Sequence, residues 1–250
     1  MPPKIVIVLP TYNEAENLPL MVAALMALPI PHLHVLVVDD KSPDGTGALA
    51  DTLAAQHPAV VSVLHRAGKE GLGPAYKAGF KQALADGADQ IIQMDCDFSH
   101  PPEYVVPLLA KLNEGWDVVH GSRYVRGGGV DQAWGWYRKL LSWFANRVYV
   151  KVLLRIPVND ATCGFRAWQR ATLLGLDVER IASNGYVFQV ELTYVTHRLG
   201  YRIAEIPIYF PDRQRGDSKM DSGIALEASL RVWQMMQRHR GLSAQGRRVI

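Results

Sequence analysis

The chain has 250 residues, 48% hydrophobic and 20% charged, with 21 glycines and 15 prolines scattered without a period; these values exclude a disordered, collagen-like or low-complexity chain. Two cysteines, Cys96 and Cys163, exclude a disulfide framework and a Cys/His zinc cluster and point to a reduced, intracellular protein. The net charge of +3 is split, with 7 Lys/Arg against 14 Asp/Glu in residues 1–120 and 20 against 10 in residues 121–250, which is unlike a uniformly basic nucleic-acid binder.

The start, MPPKIVIVLPTYNE, lacks the charged head and long apolar core of a signal peptide. Apolar runs at Ile5–Leu9, His34–Val38, Val60–Leu64, Gln90–Met94 and Val118–His120 are Val/Ile/Leu-rich on both faces, as buried parallel strands are. Between them Ala15–Leu28, Gly45–His57, Gly73–Asp86 and Pro102–Glu114 have helical spacing. The longest uncharged run, residues 18–38, is broken by Pro19, Pro29, Pro31, His32 and His34, so it reads as helix, turn and strand rather than a membrane span. This βαβα order predicts a three-layer α/β sandwich with a mostly parallel sheet. Gly127–Gly129 reads as a hinge, Trp134–Arg155 as a long helix and Asn159–Arg166 as a loop. Then come a helix over Tyr186–Leu199, short strands over Arg202–Ile206 and Ile208–Phe210, a polar loop over Pro211–Lys219 and a helix over Ile224–Arg238. We expect one domain over residues 1–240, with halves at 1–125 and 126–240, and a basic, mobile tail at 241–250.

Ligands of such sheets bind beyond the carboxyl ends of the strands. No GxGxxG, GxxxxGK[ST] or GxSxG motif stands there, which argues against a dinucleotide oxidoreductase, a P-loop NTPase and an α/β hydrolase. Asp95-Cys96-Asp97 does stand there, after the run IIQM. Two carboxylates this close repel unless a proton or cation lies between them, and a hard ion such as Mg2+ or Mn2+ would bridge them to phosphate oxygens. The alternative is that they cap the next helix. Asp39-Asp40 is a second acidic pair at the same edge, with turn chemistry as its alternative. Lys69, Arg123, Arg213, Arg215 and Lys219 could hold a diphosphate. Between Asp131 and Asp160 there are five basic residues, six aromatics and no acid, which suits an anionic lipid surface; a core or dimer helix with a basic rim fits equally. Arg138 and Ser142 share a helical face there and could jointly hold a phosphate.

LPTYNE (Leu9–Glu14), DDKSPDGT (Asp39–Thr46), GKEGLGPAY (Gly68–Tyr76), MDCDFSHPP (Met94–Pro102), GSRY (Gly121–Tyr124), DATCGFR (Asp160–Arg166), NGYVFQVE (Asn184–Glu191) and PIYFPDRQRGDSK (Pro207–Lys219) occur in this order. With them the chain resembles the dolichol-phosphate (polyprenol-phosphate) mannosyltransferases of glycosyltransferase family 2, over roughly residues 4–220. The resemblance implies a GT-A (Rossmann-like) fold with interfacial and C-terminal helices. It also implies an inverting, metal-dependent transfer of mannose from GDP-mannose to a polyprenyl or dolichyl phosphate, giving a β-linked product. Carried over, Pro10, Tyr12, Glu14, Val37 and Asp39 would hold the nucleoside, and Asp95, Asp97 and Ser99 the Mg2+ or Mn2+. Arg123, Arg213 and Lys219 would grip the diphosphate, and Arg138 and Ser142 the acceptor phosphate. Cys96 stands where the family often has Ala, and Asn184 where it often has Lys; both adjoin the donor. Catalysis would rest on Asp95, Asp97 and Arg123. Many relatives carry transmembrane helices or depend on small membrane partners. The expectation here is a peripheral enzyme at the cytoplasmic face, with a small membrane-anchoring protein as a candidate partner and no role for nucleic acid. Transfer of glucose or another sugar to a polyprenyl phosphate is the nearest rival. A phosphatase with DxD after a strand and a nucleotide-sugar-binding regulatory domain are more distant ones.

Overall fold

The computed structural model describes residues 2–131, 151, 154–211 and 231–248. The first half alternates strand and helix as its apolar pattern requires: β1 (Ile5–Thr11), α1 (Leu18–Met26), β2 (Leu33–Asp39), α2 (Thr46–Gln56), β3 (Val61–His65), α3 (Leu72–Ala85), β4 (Gln90–Gln93), α4 (Val105–Leu112) and β5 (Val118–Ser122). Then follow β6 (Gly129–Val130), β7 (Arg166–Gln169), α5 (Arg170–Leu176), α6 (Gly185–Arg198), β8 (Ile203–Pro207), β9 (Tyr209–Phe210) and a helix, α7, over residues 231–238. The main sheet has the order β3-β2-β1-β4-β7-β5-β8. Every pairing in it is parallel except those of β7, which runs antiparallel to both β4 and β5.

Both faces of β1 are apolar because both are covered. Ile5, Ile7 and Leu9 join Leu18, Met21, Val22 and Leu25 of α1 and Val105, Leu108 and Leu112 of α4 in one core. Val6 and Val8 join Tyr76 and Phe80 of α3, Leu173 and Leu176 of α5, and Phe188, Leu192 and Val195 of α6 in the other. The expected three layers are therefore present, each fully buried aliphatic contributing about 1.5–3 kcal/mol. α3 approaches β1 closely at Gly79, where an added Cβ would lie 2.3 Å from a Val8 methyl. A third, smaller core packs Leu154, Ile156 and Val158 with Val187, Val190 and Tyr194 of α6 and Val232 and Met235 of α7.

Two expectations need correction. Arg166 begins a central strand rather than ending a loop, and α5 follows it at once. The sequence RAWQ gives no strand signal because its polar ends are buried: the Arg166 guanidinium donates to the carbonyls of Cys163, Ala161 and Gln189. Gly127–Gly129 is a packed turn rather than a hinge, since a Cβ on Gly128 would lie 2.5 Å from the Ser122 carbonyl and Gly129 opens β6, paired with β9. Over its described residues the basic tail contacts the body: Arg180 and Arg198 donate to the carbonyls of Gly246 and Leu242, and Arg247 to that of Leu199.

Candidate functional site

Because β1, β2, β3, β4 and β5 are mutually parallel or in parallel register across the sheet, their carboxyl ends lie along one edge. The chain leaves β1 toward β2 on one side and later returns as β4 on the other, so the topological switch point, where ligands of open α/β sheets bind, lies between β1 and β4. The loops leaving β1, β2 and β4 each contain a non-glycine residue in the left-handed region: Asn13 (φ 60°), Lys41 (φ 57°) and Phe98 (φ 60°). Such conformations cost about 1 kcal/mol or more each and concentrate at functional sites.

The first two loops are knitted together. The amide of Asn13 donates to the Ser42 hydroxyl (3.1 Å), that of Glu14 to the Thr46 hydroxyl (2.9 Å) and that of Ala15 to Asp44 (3.1 Å). Asp39 accepts from the hydroxyls of Thr11 (3.3 Å) and Ser42 (2.6 Å) and from the Ser42 amide (3.2 Å). Gly47 permits this, since a Cβ there would lie 2.9 Å from the Asp39 carboxylate. Asp40 pairs with Arg66 after β3, both side chains being nearly buried. Burial raises the Asp40 carboxyl pKa, while Arg66 acts in the opposite direction. For this acidic pair the turn-chemistry reading is the one the geometry carries.

The pair after β4 is built otherwise. Asp95 Oδ1 accepts from the Tyr76 hydroxyl at 2.6 Å. Burial, and then the Asp95 charge, push the Tyr76 pKa well above 10, so the phenol stays a neutral donor. Asp97 Oδ1 accepts from the Ser99 amide (3.0 Å), and the Asp95 amide donates to Nδ1 of His100 (2.8 Å), whose ring stacks on Phe165 at 5.0 Å. Phe98, left-handed between Asp97 and Ser99, sets this turn. Cys96 points into the core, 2% exposed, and burial raises its thiol pKa, so it serves as a small apolar filler. Among the described residues no three His, Cys, Asp or Glu side chains gather as a metal centre. The donors that Asp95, Asp97 and Ser99 offer are few, hard oxygens at a strand end. They fit Mg2+ or Mn2+, which keep open positions for water and phosphate rather than asking for an all-protein cage.

Arg123 follows β5 as a buried cation. Its Nε and Nη2 donate to Asp160 at 2.7 and 2.8 Å, and Nη2 also to the Thr162 hydroxyl at 2.7 Å. Burial alone would raise the Asp160 pKa, but the Arg123 charge and the hydrogen bonds from Arg123 and Thr162 together lower it; burial would lower that of Arg123, and the Asp160 charge and hydrogen bonds raise it. Asp160 is itself held by Glu205 of β8, which accepts from the amides of Asn159 (2.8 Å) and Asp160 (2.9 Å).

Asn184 clamps the glycine-rich loop to the start of α6. It accepts from the amides of Gly73 (3.2 Å) and Gly185 (2.9 Å) and donates to the Glu70 carbonyl (2.7 Å). Gly71 (φ 102°) must lack a side chain, because a Cβ would lie 2.7 Å from the Asn184 amide. At the far side of the same loop the Lys69 ammonium sits 3.7 Å from the centre of the Tyr12 ring.

Of the expected site residues, Pro10, Tyr12, Glu14, Asp39, Asp95, Cys96, Asp97, Ser99 and Arg123 share this edge, and Asn184 reaches it through the glycine loop. Val37 is corrected: it is 0% exposed inside β2, paired to Leu9 and Val63, and presents no surface to a ligand. Arg138, Ser142, Arg213 and Lys219, like most of Trp134–Arg155, lie outside the described residues. Tyr76, His100 and Asp160 are not among the site residues expected from the sequence, although GKEGLGPAY, MDCDFSHPP and DATCGFR contain them.

Residues 6–173 match the family described as Glycosyl transferase family 2. The chain is 46% identical over 243 residues to an undecaprenyl-phosphate mannosyltransferase of Micrococcus luteus, covering 96% of this chain and 98% of that one. It is 46% identical over 226 residues to a polyprenol monophosphomannose synthase of Mycolicibacterium smegmatis, covering 90% of this chain and 84% of that one. In structure it is similar to glucosyl-3-phosphoglycerate synthase from Mycobacterium tuberculosis, in complex with Mn2+, UDP and glucosyl-3-phosphoglycerate (TM-score 0.64, 20% identity, 94% of this chain and 80% of that one). It is also similar to a mannosyltransferase from Pyrobaculum calidifontis in complex with GDP-Man and Mn2+ (TM-score 0.60, 18% identity, 86% of this chain and 59% of that one). At these identities the two structures bear on the fold, which is of the GT-A type.

Proposed function

Since the chain belongs to glycosyltransferase family 2 and is thereby a glycosyltransferase, we propose that it transfers mannose from GDP-mannose to a polyprenyl phosphate, with inversion, at a site that needs Mg2+ or Mn2+. The observation that carries the reading is the 46% identity, over nearly the full length of both chains, to an undecaprenyl-phosphate mannosyltransferase. The acidic strand end at Asp95 and Asp97 supports it, because a nucleoside diphosphate leaving group needs a cation there.

A phosphate monoester has its second pKa near ~6, so the acceptor is largely dianionic at neutral pH and already nucleophilic. No side chain need remove a proton from it. The chain's task is to hold the donor so that the acceptor oxygen meets the sugar carbon from the face opposite the departing GDP. In this reading Asp95 and Asp97, with Ser99, hold the metal, which when bound neutralises charge on the leaving diphosphate. Tyr76 orients Asp95, and His100 fixes the Asp95 backbone through its amide. Tyr12 and Glu14 face the nucleoside, with Asp39 shaping their loop through Ser42. Arg123, with Arg213 and Lys219, supplies positive charge toward the diphosphate, and Arg138 with Ser142 receives the acceptor phosphate.

A lipid acceptor stays in the bilayer, because withdrawing its tail costs about 0.8 kcal/mol per CH2. No helix among the described residues is long and apolar enough to cross a membrane. The enzyme then works as a peripheral protein at the cytoplasmic surface, with Trp134–Arg155 as its contact.

The test is incubation with labelled GDP-mannose, Mg2+ or Mn2+ and a short polyprenyl phosphate, followed by organic extraction. Label is expected in the organic phase, absent with excess EDTA. Extractable label from UDP-glucose but not from GDP-mannose would replace the donor assignment.

A further inference from the structure

We propose that the pocket between the end of α6 and α7 binds the anionic headgroup of a membrane phospholipid, at a site separate from that for the donor. This inference rests on the reading of the acceptor as a lipid phosphate, because only a membrane-bound enzyme meets such headgroups.

The pocket has a volume of about 400 Å³, and its lining includes Arg155, His197, Arg198, Arg240, Trp233 and Met236. Among the described residues no carboxylate lines it. Three arginines facing one space repel one another unless an anion lies between them. The Arg198 guanidinium is fixed by carbonyls, donating to Leu242 (2.8 and 3.1 Å) and Arg240 (3.0 Å), so it is held in place without being neutralised. Arg155 stands in the left-handed region at φ 52°, a conformation that a branched or long side chain adopts at a cost and that marks functional positions. Burial first, and then the Arg198 charge, lower the His197 pKa, so the arginines supply the charge at neutral pH.

The rest of the lining decides which anion. Trp233 is 55% exposed, an uncommon position for the largest apolar side chain, and Met236 lies one turn along the same helix. An indole beside arginines, apolar on its faces and polar at its N–H, suits the headgroup zone of a bilayer. A soluble phosphate would use the arginines and leave the indole in water. The site is also distant from the donor. α6 begins at the glycine loop and spans 14 residues, which puts its far end about 20 Å away at 1.5 Å per residue.

The experiment is sedimentation of the full chain with vesicles of phosphatidylcholine alone or mixed with phosphatidylglycerol, at low ionic strength. Wild type should pellet with the anionic vesicles and about tenfold less with the neutral ones. The double variant Trp233→Ser/Arg240→Glu, and separately the single variant Arg240→Glu, should each lose about tenfold in anionic-vesicle affinity. Both should transfer mannose to a water-soluble short-chain acceptor at the wild-type rate. Absence of that transfer in wild type would count against the proposed function and leave the vesicle result to judge the pocket. Unaltered vesicle binding by both variants, or no preference of wild type for anionic vesicles, would overturn the proposal. So would saturable binding of inorganic phosphate alone that quenches Trp233 fluorescence in a protein that ignores vesicles.

Discussion

Two acidic strand ends flank β1 on this sheet, and they are built for different work. Asp39 and Asp40, after β2, are consumed by the protein: Arg66 pairs with one, and the hydroxyls of Thr11 and Ser42 hold the other. Asp95, after β4, receives a neutral phenol, and the turn to Asp97 is fixed by a left-handed Phe98 and by His100. A cation already supplied by the chain makes a carboxylate structural. Asp39 spends its oxygens on three neutral donors of its own loops, whereas Asp95 accepts a single phenol and stands two residues from Asp97, a pair suited to a cation that arrives with the substrate. Asp160 and Glu191 fall with Asp40 in this division, Arg123 pairing with one and Arg238 with the other.

The largest effect expected from this contrast is at Asp97. Replacing it with Asn should lower turnover by about 10³-fold, the scale of a lost charge-stabilising group, while thermal unfolding stays within a degree or two of wild type. Wild-type turnover in this variant would erase the distinction between the two strand ends. Asp40→Asn should do the reverse. Arg66 would lose its buried partner and keep only the exposed Glu70, at a cost of about 2 kcal/mol in denaturant unfolding, with transfer by the folded fraction reduced by less than about tenfold.

Glu191 sharpens the contrast through pH. Burial pushes its pKa up, but the hydrogen bonds from His239 and the Ser183 amide prevail and bring it down to about 2 from an ordinary 4.5. A depressed carboxyl pKa contributes stability that is complete above the unfolded value and is lost as pH falls through the folded one. The stability gap between wild type and Glu191→Gln should therefore be full at pH 6 and narrow by up to about 3 kcal/mol between pH 4.5 and 2. A gap that does not change with pH would show that the depressed carboxylate contributes nothing. The smallest effect is at Tyr76, where Phe removes one hydrogen bond to Asp95. Metal affinity should weaken by about tenfold, as for other groups that orient a ligand from behind, and unchanged affinity would show that Asp95 needs no orientation.

The difference between the two strand ends was not legible in the sequence, where DD and DxD looked alike. What separates them is long-range. Arg66 reaches Asp40 only because β3 pairs in register with β2, and Tyr76 reaches Asp95 only because α3 packs over β1. The parallel strands were legible, since residues covered on both faces are apolar on both faces, as Ile5–Leu9 show. β7 was not, because buried Arg166 satisfies its guanidinium on carbonyls that only the folded chain assembles. Val37 was misplaced for the opposite reason: it lies in an apolar run close to a strand end, and only the solved packing shows that its side chain belongs wholly to the core. The pairing of Arg123 with Asp160 joins residues 37 apart across an inserted strand, so no local pattern announces it.

Calorimetric titration of GDP into the protein with Mn2+ present tests the central claim most directly. The account predicts that GDP affinity falls by about tenfold or more in EDTA and equally in Asp95→Asn and Asp97→Asn, whereas Asp40→Asn binds as wild type does. Equal affinity with and without Mn2+, or a loss in Asp40→Asn that matches the loss in Asp97→Asn, would contradict it.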